Sequence, residues 1–310
     1  MQMSNVNFTN PGISFVTGAP ISCDTGLLIL SIDELFHDKE PHSLLVVKDH
    51  DVTNGILVSS NCCDVILANE GGNLNGYFLG EDGGIWFYNG NTIEASDPIT
   101  SNKNFGALRS QAFSSNSYHI VAGGGNTAFL KKTTSEWKDQ EIKMSQDIEQ
   151  FKYVGFEKIV ALPEGSFYLF GWHGIGILFA DNRSTRLDLP TNLDIYDAVL
   201  TNDGFIYTCG DQGTILRGRG LNDWSIINNE ITGDKLWGIC SFEGRTFVCS
   251  MNSIYEIVDN ELQFIEYSEF SDIPSFTYRL KTCIDCVWSI GSKQLVQYDG
   301  SDWRELMLLS

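Results

Sequence analysis

The chain has 310 residues, with 40 acidic side chains against 20 lysines and arginines and a formal net charge of −20. Hydrophobic residues make up 42% and aromatics 12%, so a packed globular chain is expected and intrinsic disorder is excluded. The negative charge repels phosphate backbones and anionic bilayers, so neither nucleic acid nor a membrane surface is an expected partner. No run of 18 apolar residues is present, so no transmembrane helix is expected. The first seven residues lack a basic segment and an apolar segment, so no secretory leader is expected. Eight cysteines are spread along the chain, and Cys209 and Cys249 sit inside apolar runs as small core residues. Together these features point to a reducing cytoplasm.

The first sixty residues hold four strand candidates, at 13–16, 27–31, 44–48 and 55–59, with a helical or loop insertion at 32–39. From there a pattern recurs. Three apolar or aromatic residues run into a small residue, then a tight turn rich in Gly or Asn, then a second apolar run. The small residue is Gly80, Gly123, Gly171, Gly210, Ser250 and Gly291 in successive copies, at spacings of 43, 48, 39, 40 and 41.

Each unit reads as four strands. Around Gly210 they are 196–200, 205–209, 214–217 and 224–227, with hairpin turns at Asp203-Gly204 and 210–213. Gly suits such turns because it adopts positive φ without a steric penalty. The next unit offers 236–241, 246–249, 253–257 and 261–267. The last offers 278–284, 287–290, 294–298 and 303–308. A strand-like period of this length predicts an all-β fold, a single β-propeller of seven four-stranded blades at about 44 residues each. The expected domain covers 1–310, with 1–60 an irregular N-terminal blade and 61–310 six regular ones. The N-terminal segment is expected to pair with the last blade, since closure removes exposed strand edges. Trp137, Trp224 and Trp303, near the fourth strands, are expected to pack between neighbouring blades.

Over residues 60–310 the repeats resemble the seven-bladed propeller class, close to the WD-repeat-like and two-component-regulator-like propellers. The stretch Tyr298-Asp299-Gly300-Ser301-Asp302-Trp303 looks like a motif common in the bacterial blades. The chain departs from true WD repeats in lacking a Gly-His start and a regular Trp-Asp ending. The resemblance implies the fold and carries no catalytic residue across, because the matching positions are structural.

Chemistry-bearing motifs are few. Cys283-Ile284-Asp285-Cys286 has no second cysteine pair to complete a zinc site, and its thiols read as belonging to a strand and its turn. His37, His42 and His50 lie among acids without metal-ligand spacing, as in a solvated loop. Gly123-Gly124-Gly125 lacks the following Lys of a phosphate loop, and no Gly-x-Ser-x-Gly elbow is present. No cofactor or metal is expected.

Trp172 and His173 occupy a turn between second and third strands, where an aromatic side chain suits a binding hot spot. Equivalent turns offer Glu81 and Asp82, Asp211 and Gln212. The lysine- and arginine-free stretch between Arg245 and Arg279 adds Glu266, Glu269 and Asp272.

These nine residues form the expected partner-binding set. The function they favour is a non-enzymatic, monomeric, protein-binding propeller whose acidic surface steers a basic protein toward it. A concrete form is a bacterial immunity or antitoxin-like protein neutralising a basic toxin or effector domain. Two alternatives stand beside it. One is a hydrolase or lyase with its site in the central channel, drawing on His119 and His173. The other is a structural scaffold subunit.

Overall fold

The computed structural model of the protein describes residues 4–5, 12–50, 52–101, 105–114, 117–132, 135–140, 142 and 154–309. Seven antiparallel sheets follow one another along these residues, and they are the blades of a seven-bladed β-propeller: blade 1 over 13–58, blade 2 over 62–95, blade 3 over 108–140, blade 4 over 156–186, blade 5 over 195–226, blade 6 over 238–264 and blade 7 over 279–308. Blade 5 is representative. Its strands Ile195–Leu200, Ile206–Gly210, Ile215–Arg219 and Asp223–Ile226 pair in chain order as a meander. The expected strands fall within a residue or two of these. Blade 7 follows the same plan with Arg279–Thr282, Val287–Ile290, Gln294–Tyr298 and Trp303–Leu308. Its first strand is shorter than expected, because the chain turns at Cys283 and Cys286, where the Cys283 N–H donates to the Cys286 carbonyl at 3.0 Å. Likewise the last strand of blade 6 stops at Phe264 rather than 267.

The chain divides into two compact units. One comprises Met1–Pro98, Phe247–Glu256 and Phe264–Ser310; the other comprises Ile99–Thr246 and Ile257–Gln263. In the first unit, blade 1 has the long strands Ile13–Pro20, Thr25–Ile32, Ser43–Asp49 and Val52–Val58, with the short helix Asp33–His37 between the second and third. Leu27, Leu28, Ile29 and Leu30 are all fully buried, because this strand is covered on both faces. Alternate residues serve different neighbours. Leu28 and Leu30 pack with Trp288 and Ile290 of blade 7, whereas Leu27 and Ile29 pack with Val65 and Phe78 of blade 2.

The N-terminal segment does not join the last blade. Ser4–Asn5 pairs antiparallel with Val52–Val58, as a fifth strand of blade 1. Blade 7 is complete from its own four strands, so side-chain and loop contacts hold it to blade 1. The Trp288 indole donates to the Cys23 carbonyl at 2.9 Å. Lys293 Nζ reaches the Ile13 carbonyl at 2.6 Å and Asp33 Oδ2 at 2.9 Å, and the Phe15 N–H donates to the Ser292 carbonyl at 2.8 Å.

In the second unit the blades pack through aliphatic and aromatic layers. One layer joins Ile120 and Ala122 of blade 3 to Ile159, Leu169 and Ile177 of blade 4, and another joins Phe170 and Tyr168 to Ile195, Ile206 and Leu216 of blade 5. Trp224 meets Tyr168 and Phe170 edge-on across that second layer, at 6.0 and 5.6 Å between centroids. Trp303 stacks on Tyr298 of its own blade at 4.9 Å, and Tyr298 in turn meets Phe247 of blade 6 at 5.7 Å. Trp137 lies against His119 of its own blade at 4.9 Å.

The recurrent small residue has a steric cause. At the end of the second strand in blades 3, 4, 5 and 7, the chain entering the first strand of the same blade crosses close by. A Cβ on Gly171 would overlap the carbonyl oxygen of Gly155, and one on Gly210 that of Asp194. Gly123 meets the Ala107 carbonyl and Gly291 the Phe276 carbonyl in the same way. In blade 6 the position is Ser250, whose carbonyl accepts from Thr277 Oγ1 at 2.7 Å.

Candidate functional site

In blades 4 and 5 the turns between second and third strands are built alike. Trp172–Gly174 and Asp211–Gly213 each form a single 3-10 turn. Their central residues take the left-handed region, His173 at φ 57° and Gln212 at φ 50°. A non-glycine residue held there costs about 1–3 kcal/mol, so the surrounding contacts must hold the turn.

Asp194 supplies such contacts to both turns. Its carboxylate accepts the His173 N–H at 2.8 Å, and its carbonyl accepts the Asp211 N–H at 2.9 Å. The structure therefore brings Trp172, His173, Asp211 and Gln212 together. The Trp172 indole N–H donates to Glu157 Oε1 at 2.7 Å, leaving the ring half-buried with its edge fixed.

Five neighbours were not among the expected residues: Glu157, Asp194, Tyr196, Lys235 and Trp237. Tyr196 and Trp237 stack at 4.4 Å with 19° between planes. The Lys235 ammonium lies 3.0 Å from the Tyr196 hydroxyl, 3.3 Å from Asp211 Oδ1 and 5.8 Å from the Trp237 ring centroid. Desolvation raises the Tyr196 hydroxyl, while its hydrogen bond with Lys235 acts the other way; that same bond raises the Lys235 ammonium.

Glu157 and Tyr196 occupy the extra position where the pairing register shifts, between Phe156 and Lys158 and between Ile195 and Asp197. Such a bulge re-aims one side chain out of the alternating pattern. The signal was present as a spacing of 39 and 41 between positions 157, 196 and 237, but three different residue types conceal it. The result is three half-buried aromatic rings bordered by Glu157, Asp194 and Asp211.

The remaining expected residues form two groups in the other unit. Asp82 Oδ1 accepts from Ser60 Oγ at 2.7 Å and from the Gly84 N–H at 3.1 Å, and the Glu81 N–H donates to the Asn61 carbonyl. Asp82 thus shapes its turn. Glu266, Glu269 and Asp272 are exposed on the connection into blade 7, beside exposed Phe270, Ile273 and Phe276. Asp272 pins this connection along the outer strand of blade 7. Its N–H donates to the Trp303 carbonyl, and its Oδ2 accepts the Glu305 N–H, both at 2.8 Å.

The histidines weighed for catalysis or for a metal occupy different settings. His119 is 4% exposed, stacked on Phe113 at 4.2 Å and bonded to Gln111 Oε1 at 2.9 Å. Desolvation, helped by Lys131, lowers it to about 3, so it is neutral at ordinary pH. His42 does not lie in a solvated loop as expected: it is buried and bonded to Ser31, the Ile32 N–H and the Glu40 carbonyl, which fixes the turn into the third strand of blade 1. No group of three His, Cys, Asp or Glu side chains among the described residues is placed to hold a metal. On the first strand of blade 5, Asp197 is saturated by Lys158 Nζ at 2.8 Å and the N–H groups of Ala198 and Ile239 at 2.9 and 3.3 Å.

No protein-family model matches the chain. A stretch of 153 residues is 30% identical to the immune protein Tsi7 of Pseudomonas aeruginosa. That stretch is 49% of each chain, so the match spans about half of that relative. Among solved structures, a catalytically inactive virginiamycin B lyase from Staphylococcus aureus with quinupristin aligns at a TM-score of 0.67 and 12% identity, over 93% of this chain and 94% of that one. YCF48 from Cyanidioschyzon merolae aligns at a TM-score of 0.60 and 13% identity, over 80% and 86%. These two likenesses are of fold alone.

Proposed function

We propose that this protein is an immunity-type protein that neutralises a protein toxin by binding it. The observation that carries this reading is the 30% identity to an immune protein over 153 residues. The net charge of −20 supports a finer reading, in which the toxin domain is basic and is steered to an acidic surface. The patch around Trp172, Tyr196 and Trp237 suits the contact, because half-buried aromatics bordered by acids resemble the few anchors that dominate binding energy. In this reading the protein is cytoplasmic, monomeric and non-enzymatic, with its cysteines held as thiols in a reducing compartment.

The test is capture of the tagged protein from its native cells at low salt, with mass spectrometry of what accompanies it. One basic, stoichiometric partner is expected, released as salt shortens the Debye length from about 10 Å at 0.1 M to about 3 Å at 1 M. That partner is expected to arrest cells when expressed alone and to be tolerated when the two are co-expressed. A captured partner that is harmless by itself would overturn the immunity reading. Capture that is indifferent to salt would overturn the steering argument.

A further inference from the structure

Three of the eight cysteines meet where blade 7 packs on blade 1. Cys283 and Cys286 flank the two-residue turn between the first two strands of blade 7, and their sulfurs lie 3.4 Å apart. The Cys283 N–H bonds to the Cys286 carbonyl, so the two residues face each other as a hydrogen-bonded antiparallel pair. Such pairs have Cα atoms about 5.5 Å apart, inside the about 4.4–6.8 Å that a disulfide spans. Cys23, from the first hairpin of blade 1, donates its thiol to the Asp285 carbonyl at 3.5 Å.

The two thiols of the turn differ in access. Cys283 is half-buried at a turn whose tip residue, Ile284, is 94% exposed, while Cys286 is fully buried beside Trp288. An oxidant therefore reaches Cys283 first, and Cys286 waits behind it within bonding distance.

We propose that Cys283 and Cys286 are a redox-active dithiol, with Cys283 the nucleophile toward hydrogen peroxide and Cys286 the resolving thiol. The Cys283 thiolate attacks the peroxide O–O bond and takes one oxygen as a sulfenic acid, and the departing hydroxide is protonated to water. The Cys286 sulfur then displaces the sulfenic hydroxyl, which leaves as a second water with the Cys286 proton. Two thiols lose two electrons in all, one peroxide gains them, and one S–S bond forms. The local bonding favours the first step. The Cys286 thiol donates to the Cys283 sulfur, as do the Asp285 and Cys286 N–H groups of the turn, and against desolvation they lower Cys283 to about 6. The same contact raises Cys286 and keeps it protonated until it is needed. This chemistry is separate from partner binding and does not depend on the immunity reading.

The test uses the whole protein. Trypsin cleavage after Lys281 and Lys293 leaves Cys283 and Cys286 on one peptide, 282–293. After brief treatment with stoichiometric hydrogen peroxide, that peptide is expected to lose two hydrogen masses, and dithiothreitol is expected to restore them. Iodoacetamide labelling of Cys283 is expected to rise with a midpoint near pH 6. At pH 7 its thiolate population is about 90-fold that of a thiol at the ordinary value of 9.0. Lower intrinsic nucleophilicity offsets this, leaving labelling about 3–6-fold faster. In C286S the peroxide product is expected to stop at a sulfenic acid on Cys283, trapped by dimedone. A peptide that stays reduced while other cysteines oxidise overturns the proposal, as does a bridge from Cys23 to 282–293.

Discussion

Replacing Asp197 by alanine tests how the first strands of blades 4, 5 and 6 are joined. The Asp197 side chain is 4% exposed and that of Lys158 22%. The carboxylate accepts one charged and two backbone donors, from three consecutive blades. Breaking a buried pair by removing one partner costs about 3–5 kcal/mol, and each backbone N–H left without its acceptor about 1–3 kcal/mol. The Lys158 ammonium keeps some access to water, which cuts the ion-pair share to about 1 kcal/mol, and two N–H groups at the lower part of their range bring the expected loss for Asp197→Ala to about 3–4 kcal/mol. Asp197→Asn keeps an acceptor for only one of the two N–H groups, because Ala198 bonds to one carboxylate oxygen and Ile239 to the other, and is expected to lose about 2–3 kcal/mol. Lys158→Met combined with Asp197→Ala is expected to show a coupling of about 1–3 kcal/mol. Urea unfolding followed by fluorescence of the seven tryptophans measures all three. An Asp197→Ala variant within about 1 kcal/mol of the parent would refute the reasoning, because an acceptor of two buried N–H groups and a half-buried ammonium cannot be removed so cheaply.

Four further outcomes are expected. Gly210→Ala drives a Cβ into the Asp194 carbonyl and is expected to cost about 3 kcal/mol. Gly204→Ala, at φ +80° with open space around it, is expected to cost only about 1–2 kcal/mol by the same unfolding assay. His119 is lowered to about 3 from 6.5, so between these values the unfolded chain binds a proton that the folded one refuses. Stability should therefore be flat above pH 6.5 and fall as pH drops toward 3, by about 2 kcal/mol at pH 5, with His119→Asn removing that part of the slope in unfolding curves across pH. Trp172→Ala is expected to weaken partner binding by about 2 kcal/mol, or about 30-fold, in calorimetry with the captured partner, and an unchanged affinity would remove this patch from the interface.

The repeat and its strands were legible because both depend on local chemistry. Glycine-dependent turns and apolar runs recur at near-constant spacing, and the strands 287–290, 294–298 and 303–308 were found to the residue. The small marker residue was also visible, although its cause was not: Gly171 is small because the Gly155 carbonyl passes over it, a contact between segments sixteen residues apart. Of the expected site, Trp172, His173, Asp211 and Gln212 do converge, since equivalent turns of adjacent blades fall side by side. Asp194, which ties those turns together, gave no sign, because an aspartate before a strand looks the same whether it faces solvent or accepts a neighbouring turn's N–H.

Periodicity and composition thus determined the all-β repeat architecture, the blade count and the net charge of −20. Tertiary structure alone decided the N-terminal strand's partner, which is the outer strand of blade 1, since two residues carry too little pattern to specify an edge. It also decided that Glu157 and Tyr196 are re-aimed by bulges, and that Cys23 joins Cys283 and Cys286 across more than 250 residues. In each case the determining interaction is a contact between segments distant in sequence. Local propensity is indifferent to such contacts until the chain has packed.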